Sequence, residues 1–243
     1  MKIKEKINMD IHGLFKNGPI TIVAFGDSVT HGAFADGVID YESVYWHRLA
    51  KKINQRRVYI PVNVINAGIG GTNAINGLDR MESQVLKHEP DLVIICFGLN
   101  DVNKPLEAYL GALEKMFTRC LERNIDTIFM TPNMLNTYTS DRVIDRNKEY
   151  ALVTAEYQNS GRMDKYMTEA CNLARRMGVT VCDCYSEWKK LAETSDTTLL
   201  LANGVNHPNE EMHELFANML YDCIFAEDNS DVAPNESTMY QRK

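Results

Sequence analysis

The chain has 243 residues, of which 44% are hydrophobic and 24% are charged, and its formal net charge is −7. These values are typical of one soluble globular domain with a good hydrophobic core. The acidic balance and the lack of a basic stripe argue against nucleic acid and anionic membrane surfaces as partners.

Both ends of the chain are polar. Residues 1–18 are of mixed charge and contain no apolar segment like that of a secretory signal. No apolar run approaches the roughly 18 residues that span a bilayer. We therefore expect a cytoplasmic protein with an N-terminal extension at 1–18, one domain at 19–225 and a polar C-terminal tail at 226–243. The composition of the tail predicts that it is disordered or lies over a neighbouring molecule.

The six cysteines are spread through predicted core strands and helices. Cys182 and Cys184 alternate on one strand and share a face, so this pair could form a metal or redox site. No second pair and no His-x-His motif accompanies them. Reduced core thiols are therefore the better interpretation, and no metal is expected.

Apolar runs alternate with helical patterns along residues 19–225. The first strand begins at Ile20 and ends at Gly26, and five of its first six residues are apolar, as expected for a parallel strand covered on both faces. The other predicted strands cover residues 62–67, 91–97, 126–130 and 179–184. The predicted helices cover about 41–55, 73–88, 105–123, 163–177, 186–193 and 209–225. This alternation predicts a doubly wound α/β sandwich around a parallel sheet of about five strands.

Glycine and small polar residues follow the predicted strands. The first strand runs into Gly26-Asp27-Ser28, and residues 68–71, 98–101 and 132–133 follow the next three. In a doubly wound sheet, ligands bind at the carboxyl ends of the strands. Taken alone, Asp27 or Ser28 is equally well explained as a helix cap. Capping explains the whole set poorly, so we expect a functional site at this edge.

The residue types at this edge fit acyl transfer. Ser28 is the candidate nucleophile, provided that a neighbouring base takes its proton. A developing oxyanion would need donors, and the candidates are the amide of Ser28, the amide of Gly68 and the side-chain amide of Asn100. Gly68 lacks a Cβ, which would let a substrate approach the backbone closely.

His207 is the candidate base, because it lies in a loop bounded by Gly204 and Pro208 that can return to the same edge. His31 is three residues from Ser28, and its local geometry favours a place on the rim of the site. The remaining histidines are predicted to lie on the surface or on helix faces: His12, His47, His88 and His213.

These segments resemble the SGNH hydrolases, also called the GDSL esterase/lipase family. The four matching blocks are Gly26-Asp27-Ser28, Gly68 within Asn-Ala-Gly-Ile-Gly-Gly, Gly98-Leu-Asn-Asp101, and His207-Pro208, in the family's order. The resemblance implies a flavodoxin-like three-layer sandwich, a Ser28–His207 catalytic pair and an oxyanion hole of Ser28, Gly68 and Asn100, with Asp27 and Asp101 in support. It also implies hydrolysis of short acyl esters of sugars, lipids or small alcohols, without a metal or an organic cofactor.

The chain departs from the family at one position. The family places an aspartate three residues before the histidine, where this chain has Gly204, preceded by Asn203. In serine proteases, replacing the orienting aspartate with an amide lowers turnover by about four orders of magnitude. A backbone carbonyl could orient His207 instead, or Asn203 could, or a distant carboxylate such as Asp183 or Glu187. Deamidation at Asn203-Gly204 would create an aspartate one residue from the family position.

The sequence therefore predicts a serine esterase that acts on a small-molecule ester. The missing aspartate leaves a second hypothesis open, namely that the protein has the same fold, binds a ligand and has weak or no catalytic activity. A flavodoxin-like nucleotide binder is disfavoured because no glycine-rich phosphate loop opens the first helix. The long segment 134–161 is expected to form part of the pocket as a flap or a broken helix, with Asn136, Tyr138 and Tyr157 as candidate contacts. The chain is compatible with a homo-oligomer.

Overall fold

The computed structural model describes residues 1–56 and 60–225, and its centre is a sheet of five strands. The strands are β1 (Ile20–Gly26), β2 (Val62–Gly68), β3 (Leu92–Cys96), β4 (Asp126–Met130) and β5 (Thr180–Cys182). All of the pairings are parallel, and the order across the sheet is β2-β1-β3-β4-β5. The predicted α/β fold with a parallel sheet of about five strands is confirmed.

Helices connect the strands. They are α1 (Lys2–Ile7), α2 (Ile11–Asn17), α3 (Ser28–His31), α4 (Tyr45–Asn54), α5 (Ala74–Gln84), α6 (Leu106–Glu122), α7 (Lys148–Asn159), α8 (Arg162–Arg176), α9 (Cys184–Leu191) and α10 (Glu210–Phe225). Short 3-10 turns cover Leu86–His88, Asp101–Asn103, Asp145–Asn147 and Thr197–Leu200. From β1 the chain passes to β2 at one edge of the sheet, and it then crosses to β3, β4 and β5 on the other side of β1. Because the crossovers of parallel strands are right-handed, this change of direction places helices on both faces of the sheet. Accordingly α4 packs against α10, while α5 packs against α6 and α6 against α8.

Apolar residues of the central strands form the core. Every residue of β3 is buried, as the continuous apolar run of a strand covered on both faces predicts. Phe25 of β1 and Phe97 after β3 pack edge to face, with ring centroids 5.2 Å apart. This rigid centre holds the ends of β1 and β3 in fixed positions, and both ends lead into the candidate site.

Within the N-terminal extension predicted at residues 1–18, helix α1 packs against the sheet. Ile3 and Ile7 of α1 are fully buried in the main core. The amide of Ile3 donates to the carboxylate of Asp126, and the ammonium of Lys6 pairs with the carboxylate of Asp91 at 2.8 Å. Helix α1 is therefore anchored at the end of the sheet where β3 and β4 begin.

The predicted boundaries differ from the structure at several elements. The helix predicted from residue 41 begins at Tyr45, because the side chain of Asp40 accepts hydrogen bonds from the next amides and holds a turn there. The last predicted strand is shorter than expected, since Cys184 already begins α9. The C-terminal tail predicted at 226–243 lies outside the described residues. Within residues 1–56 and 60–225, no helix has the length and hydropathy that a membrane crossing requires.

Candidate active site

The carboxyl edge of the sheet carries a cleft of about 420 Å³. Ser28 stands directly after β1 at the start of α3, and Asn100 follows β3. His207 lies in a loop closed by a backbone bridge between Leu201 and Pro208. The structure thus brings the serine, asparagine and histidine blocks to one cleft, as the positions of the strand ends predict.

Ser28 and His207 are in direct contact. Nε2 of His207 lies 3.0 Å from Oγ of Ser28, and the serine is 8% exposed. Nδ1 of the same ring lies 2.9 Å from the carbonyl oxygen of Phe34. Because a carbonyl only accepts hydrogen bonds, Nδ1 must carry the proton and Nε2 must present its lone pair to the serine hydroxyl. The ring is therefore held in the tautomer that a general base needs.

The charge state of His207 also fits a base. Burial lowers the pKa of His207 below its usual value of 6.5, while the hydrogen bond to Phe34 and the nearby Asp36 act in the opposite direction. At neutral pH the imidazole is consequently uncharged and able to take a proton.

The carboxylates that sequence reasoning offered as substitutes lie elsewhere. Asp183 caps α9 and accepts hydrogen bonds from Thr131 and Ser186. Glu187 pairs with Lys190 at 2.6 Å. Neither touches His207, so both of these candidates are wrong. The backbone carbonyl of Phe34 takes the position that they were expected to fill, and no feature of the sequence identifies one carbonyl for this role.

Asn203, predicted as a possible orienting residue, contacts the histidine loop rather than the imidazole. Its Oδ1 accepts the amides of Val205, Asn206 and His207 at 2.9–3.0 Å. Its Nδ2 donates to the side chain of Asn206. Deamidation requires the amide nitrogen of Gly204 to attack the side-chain carbonyl carbon of Asn203. That amide donates to the carbonyl of Leu201, so the hydrogen bonds of this loop oppose the attack.

The expected oxyanion donor Gly68 does not fit that role. Its amide already donates to Oδ1 of Asn66 at 2.9 Å, and a Cβ at Gly68 would lie 2.3 Å from the amide nitrogen of His31. Glycine is therefore required there for close packing of β2 against α3. The next glycines, Gly70 and Gly71, line the cleft beside Ser28, and their amides donate to no acceptor within the described residues. The amides of Gly70 and Gly71 therefore replace that of Gly68 as the candidate oxyanion donors.

Asn100 lines the cleft with its side chain held in place. Its Nδ2 donates one hydrogen bond to the carbonyl of Thr72 at 2.9 Å. An amide nitrogen carries two protons, so one N–H remains for a group in the cleft. The amide of Ser28, like those of Gly70 and Gly71, has no acceptor among the described residues. Ser28, Gly70, Gly71 and Asn100 all line the cleft, so their N–H groups are the candidate donors to an oxyanion there.

Asp27 and Asp101, the predicted supporting residues, are buried behind the site. Asp27 accepts the amide of Val29 and Asp101 accepts the amide of Ala74, and each keeps one carboxylate oxygen without a partner. Burial raises the pKa of both carboxyls to about 7. The guanidinium of Arg80 donates to the carbonyls at the ends of β1 and β2 and is the cation that acts on Asp27. These groups hold the backbone that carries Ser28 and Asn100.

The other histidines do not compete with His207. His31 lies on the rim of the cleft, with Nε2 3.3 Å from the hydroxyl of Tyr41. Of the two places predicted for His213, the surface and a helix face, the structure shows the second: it is fully buried on the inward face of α10. Its ring lies 4.6 Å from that of Phe34, and burial lowers its pKa to about 3.

The segment 134–161 reaches the cleft with different residues from those predicted. Asn136 is fully buried and bonded to Thr154 and the backbone, Tyr138 donates to Asp196, and the ring of Tyr157 lies under Arg162. All three candidates are therefore wrong. The residues of this segment that line the cleft are Asn147 and Tyr150. They come from the 3-10 turn and the start of α7, whose weak periodicity gave no indication of the face that each residue occupies.

The thiols of Cys182 and Cys184 lie 3.7 Å apart in the core, and all six cysteines are free. Burial raises the pKa of the Cys184 thiol, so it stays protonated at neutral pH. Among the described residues, no group of three or more histidine, cysteine, aspartate or glutamate side chains is arranged to hold a metal ion.

Comparison with known proteins finds a matching family. The model of the GDSL-like lipase/acylhydrolase family matches residues 24–215. The uncharacterized lipoprotein YqeF of Bacillus subtilis is 35% identical over 81 residues, which cover 33% of this chain and 31% of the relative. The match therefore spans less than a third of the length of that relative.

Solved structures share the fold at low identity. A catalytic mutant of Axe2, an acetylxylan esterase from Geobacillus stearothermophilus, superimposes with a TM-score of 0.65 at 19% identity, over 84% of this chain and 94% of that one. LAE5, an alpha/beta hydrolase enzyme from the metagenome of Lake Arreo in Spain, gives 0.67 at 20% identity with the same coverage. At these identities the likeness establishes the architecture.

Proposed function

The chain belongs to the GDSL-like lipase/acylhydrolase family, a family of carboxylic ester hydrolases, and on that premise we propose that it is a serine esterase with Ser28 as nucleophile and His207 as general base. The observation that carries the proposal is the line of contacts from Ser28 Oγ through the His207 ring to the carbonyl of Phe34. These contacts supply a base in reach of the nucleophile and a group that orients the base.

In the first half of the reaction, Ser28 Oγ bonds to the ester carbonyl carbon while its proton passes to Nε2 of His207. The carbonyl oxygen becomes an oxyanion, which accepts hydrogen bonds from the amide of Ser28, the amides of the Gly70–Gly71 pair and the side chain of Asn100. When the tetrahedral intermediate collapses, the bond to the alcohol oxygen breaks. The imidazolium returns its proton to that oxygen, and the alcohol leaves.

In the second half, water replaces the alcohol. His207 takes a proton from water as the water oxygen attacks the acyl carbon of the acyl-enzyme. The second intermediate collapses by breaking its bond to Ser28 Oγ, which receives the proton from His207. The carboxylic acid leaves, and both residues return to their starting protonation states.

The cleft favours a short acyl group on an alcohol rich in hydroxyls. Its lining combines small apolar residues with side chains that donate and accept hydrogen bonds, including Asn147, Tyr150 and Asn206. Amide and phenol groups of this kind match the hydroxyls of a sugar-like alcohol. A chain-length series of p-nitrophenyl esters from acetyl to octanoyl tests the acyl part, and the proposal requires kcat/KM to fall as the chain lengthens.

A second function is favoured by one observation. The carbonyl of Phe34 is neutral, so it orients His207 without the full charge stabilisation that a carboxylate gives to an imidazolium. A site of this kind could retain a ligand in the cleft without turning it over. Such a protein would be stabilised by ligand and would show no turnover.

The decisive experiment is covalent labelling. Wild type and Ser28→Ala are incubated with a fluorophosphonate, intact masses are recorded, and hydrolysis of p-nitrophenyl acetate is measured beside them. The esterase predicts stoichiometric labelling and turnover in wild type, and neither in Ser28→Ala. An unlabelled, inactive wild type that still folds would support the binding protein instead.

Location and assembly remain predictions from the sequence. We propose a cytoplasmic location, whereas the matched relative YqeF is named as a lipoprotein. Immunoblots of membrane and cytosolic fractions decide between these places. Light scattering after size-exclusion chromatography measures whether the chain forms a homo-oligomer.

A further inference from the structure

The carbonyl that orients His207 belongs to a small loop beside the catalytic serine. Residues 33 and 39 form an antiparallel bridge, and the amide of Phe34 donates to the carbonyl of Val38 at 3.0 Å. The ring of Phe34 is buried against that of His213. The base of this loop therefore packs against the core, while its tip, residues 35–38, lines the cleft.

The tip of the loop is tied to the opposite side of the cleft by an ion pair. The carboxylate of Asp36 lies 2.5 Å from the guanidinium of Arg146, and Nδ2 of Asn147 lies 3.5 Å from the same carboxylate. Arg146 and Asn147 belong to the turn that precedes α7, more than a hundred residues away in the sequence. This contact joins the Phe34 loop to the segment 134–161 at the cleft.

Asp36 and His207 line the same cleft, and the negative charge of Asp36 raises the pKa of His207 against the effect of burial. The carboxylate favours the imidazolium without touching the ring, since the ring nitrogens are occupied by Ser28 and the carbonyl of Phe34. Among the described residues, the other titratable or charged groups around the cleft include the neutral His213, His31 on the rim, Tyr150, and Arg146 beyond Asp36. In a catalytic triad, one aspartate both orients the histidine and supplies a negative charge. Here the carbonyl of Phe34 orients the ring, and the carboxylate of Asp36 in the same loop supplies the charge.

We propose that the Asp36–Arg146 ion pair is a positioning device for His207, in which Asp36 supplies the charge of the missing triad acid and Arg146 holds the loop that presents the Phe34 carbonyl. This rests on the proposed function, because positioning a base matters only where His207 acts as one. Neither residue touches the reacting atoms. Asp36 is about one third exposed and Arg146 about three quarters, so the pair is worth little to overall stability.

Two substitutions separate charge from anchoring. Asp36→Asn keeps an oxygen that accepts from Arg146 but removes the negative charge, whereas Arg146→Gln removes the anchor and keeps the charge of Asp36. Arg146→Lys retains a cation at the anchor. The matched control is Glu82→Gln, which breaks the exposed ion pair between Glu82 and Arg123, at 3.0 Å, away from the cleft.

The first readout is the pKa of His207, measured by NMR titration of its ring protons. Asp36→Asn should lower this pKa by about 0.3 to 1 unit, because an opposite charge nearby favours the imidazolium. Arg146→Gln should not lower it. The shift in Asp36→Asn should shrink at high salt, since a partly exposed charge is screened. Glu82→Gln should leave the titration unchanged.

The second readout is turnover of p-nitrophenyl acetate. Both Asp36→Asn and Arg146→Gln should lower kcat about fivefold with KM little changed, the scale of one exposed ion pair, and Arg146→Lys should recover most of the loss. Wild-type pKa and kcat in both variants would overturn the proposal. If wild type neither labels with fluorophosphonate nor turns over, the proposed esterase function is wrong. The NMR titration still decides whether Asp36 raises the pKa of His207.

Discussion

The Nδ1–H of His207 donates to the main-chain carbonyl of Phe34 at 2.9 Å. A carbonyl in this position fixes the tautomer of the imidazole as a carboxylate would, but it carries no charge. A carboxylate can drift with its side chain, whereas this acceptor moves only with the loop of residues 33–39. The catalytic geometry therefore depends on how firmly that loop is packed, and Phe34 is buried against His213.

The state of His207 predicts the acid side of the pH profile. Burial lowers the pKa of His207, so the neutral base persists below pH 6.5. As pH falls through this lowered pKa, the imidazole gains a proton and can no longer accept one from Ser28. We expect kcat/KM for p-nitrophenyl acetate to stay level from pH 8 to pH 6.5 and to fall below that. A profile that already falls between pH 8 and pH 7 would contradict this assignment of the base.

Asn100 and Gly68 should respond differently to replacement by alanine. Asn100→Ala removes a side-chain N–H from the cleft and should cost about 2–4 kcal/mol of transition-state stabilisation, with little change in melting temperature. Gly68→Ala forces a Cβ to within 2.3 Å of the amide nitrogen of His31, so it should lower the melting temperature by several degrees. Kinetics and thermal unfolding of the two variants are compared with wild type. A Gly68→Ala protein with wild-type melting would show that α3 can move away from β2.

The serine and asparagine blocks of the sequence predicted the site because each follows the end of a parallel strand. The apolar run of β1, the break at Gly26 and the following serine place Ser28 at the edge where ligands bind, and Asn100 follows from the same argument for β3. Spacing could not separate Gly68 from Gly70 and Gly71. That choice depends on which amide is already bonded, and Asn66 takes the amide of Gly68.

The parts that could not be predicted arise from contacts between distant residues. Phe34 acts through a backbone carbonyl that every residue possesses, so no residue type marks it. Burial of His213 depends on the packing of α10 against α4, although its position in the sequence resembles that of a surface histidine. The ion pair of Asp36 with Arg146 joins two loops with no regular periodicity. In each case the deciding interaction is tertiary.

Asp27 should make stability depend on pH. Its pKa is about 7 in the folded protein against 3.8 in an unfolded chain, so the folded state binds more protons between these values. The resulting contribution of Asp27 to the stability of the folded state is fully present below pH 3.8 and is lost as pH rises through 7. Asp27→Asn should therefore remove ~1–3 kcal/mol from the difference in unfolding free energy between pH 5 and pH 8. Urea unfolding at both pH values tests this, and Asp10→Asn on the exposed cap of α2 is the control. If the unfolding free energy changed equally between pH 5 and pH 8 in wild type and in both variants, Asp27 would not titrate in this range.

Restoring the family's aspartate should fail in this chain. Gly204 occupies that position with φ of +69°, a backbone region that side chains other than glycine rarely adopt, and a Cβ there would lie 2.7 Å from Oγ of Ser140 and 3.0 Å from Val143. Gly204→Asp should therefore lower the melting temperature and reduce kcat, because the strain moves the loop that carries His207. Adding Ser140→Gly relieves the clash but leaves the backbone strain, so the double variant should recover part of the stability. Melting curves and kcat are measured for both variants; a Gly204→Asp protein that gains activity at unchanged stability would show that the loop accepts a carboxylate and that the Phe34 carbonyl is dispensable.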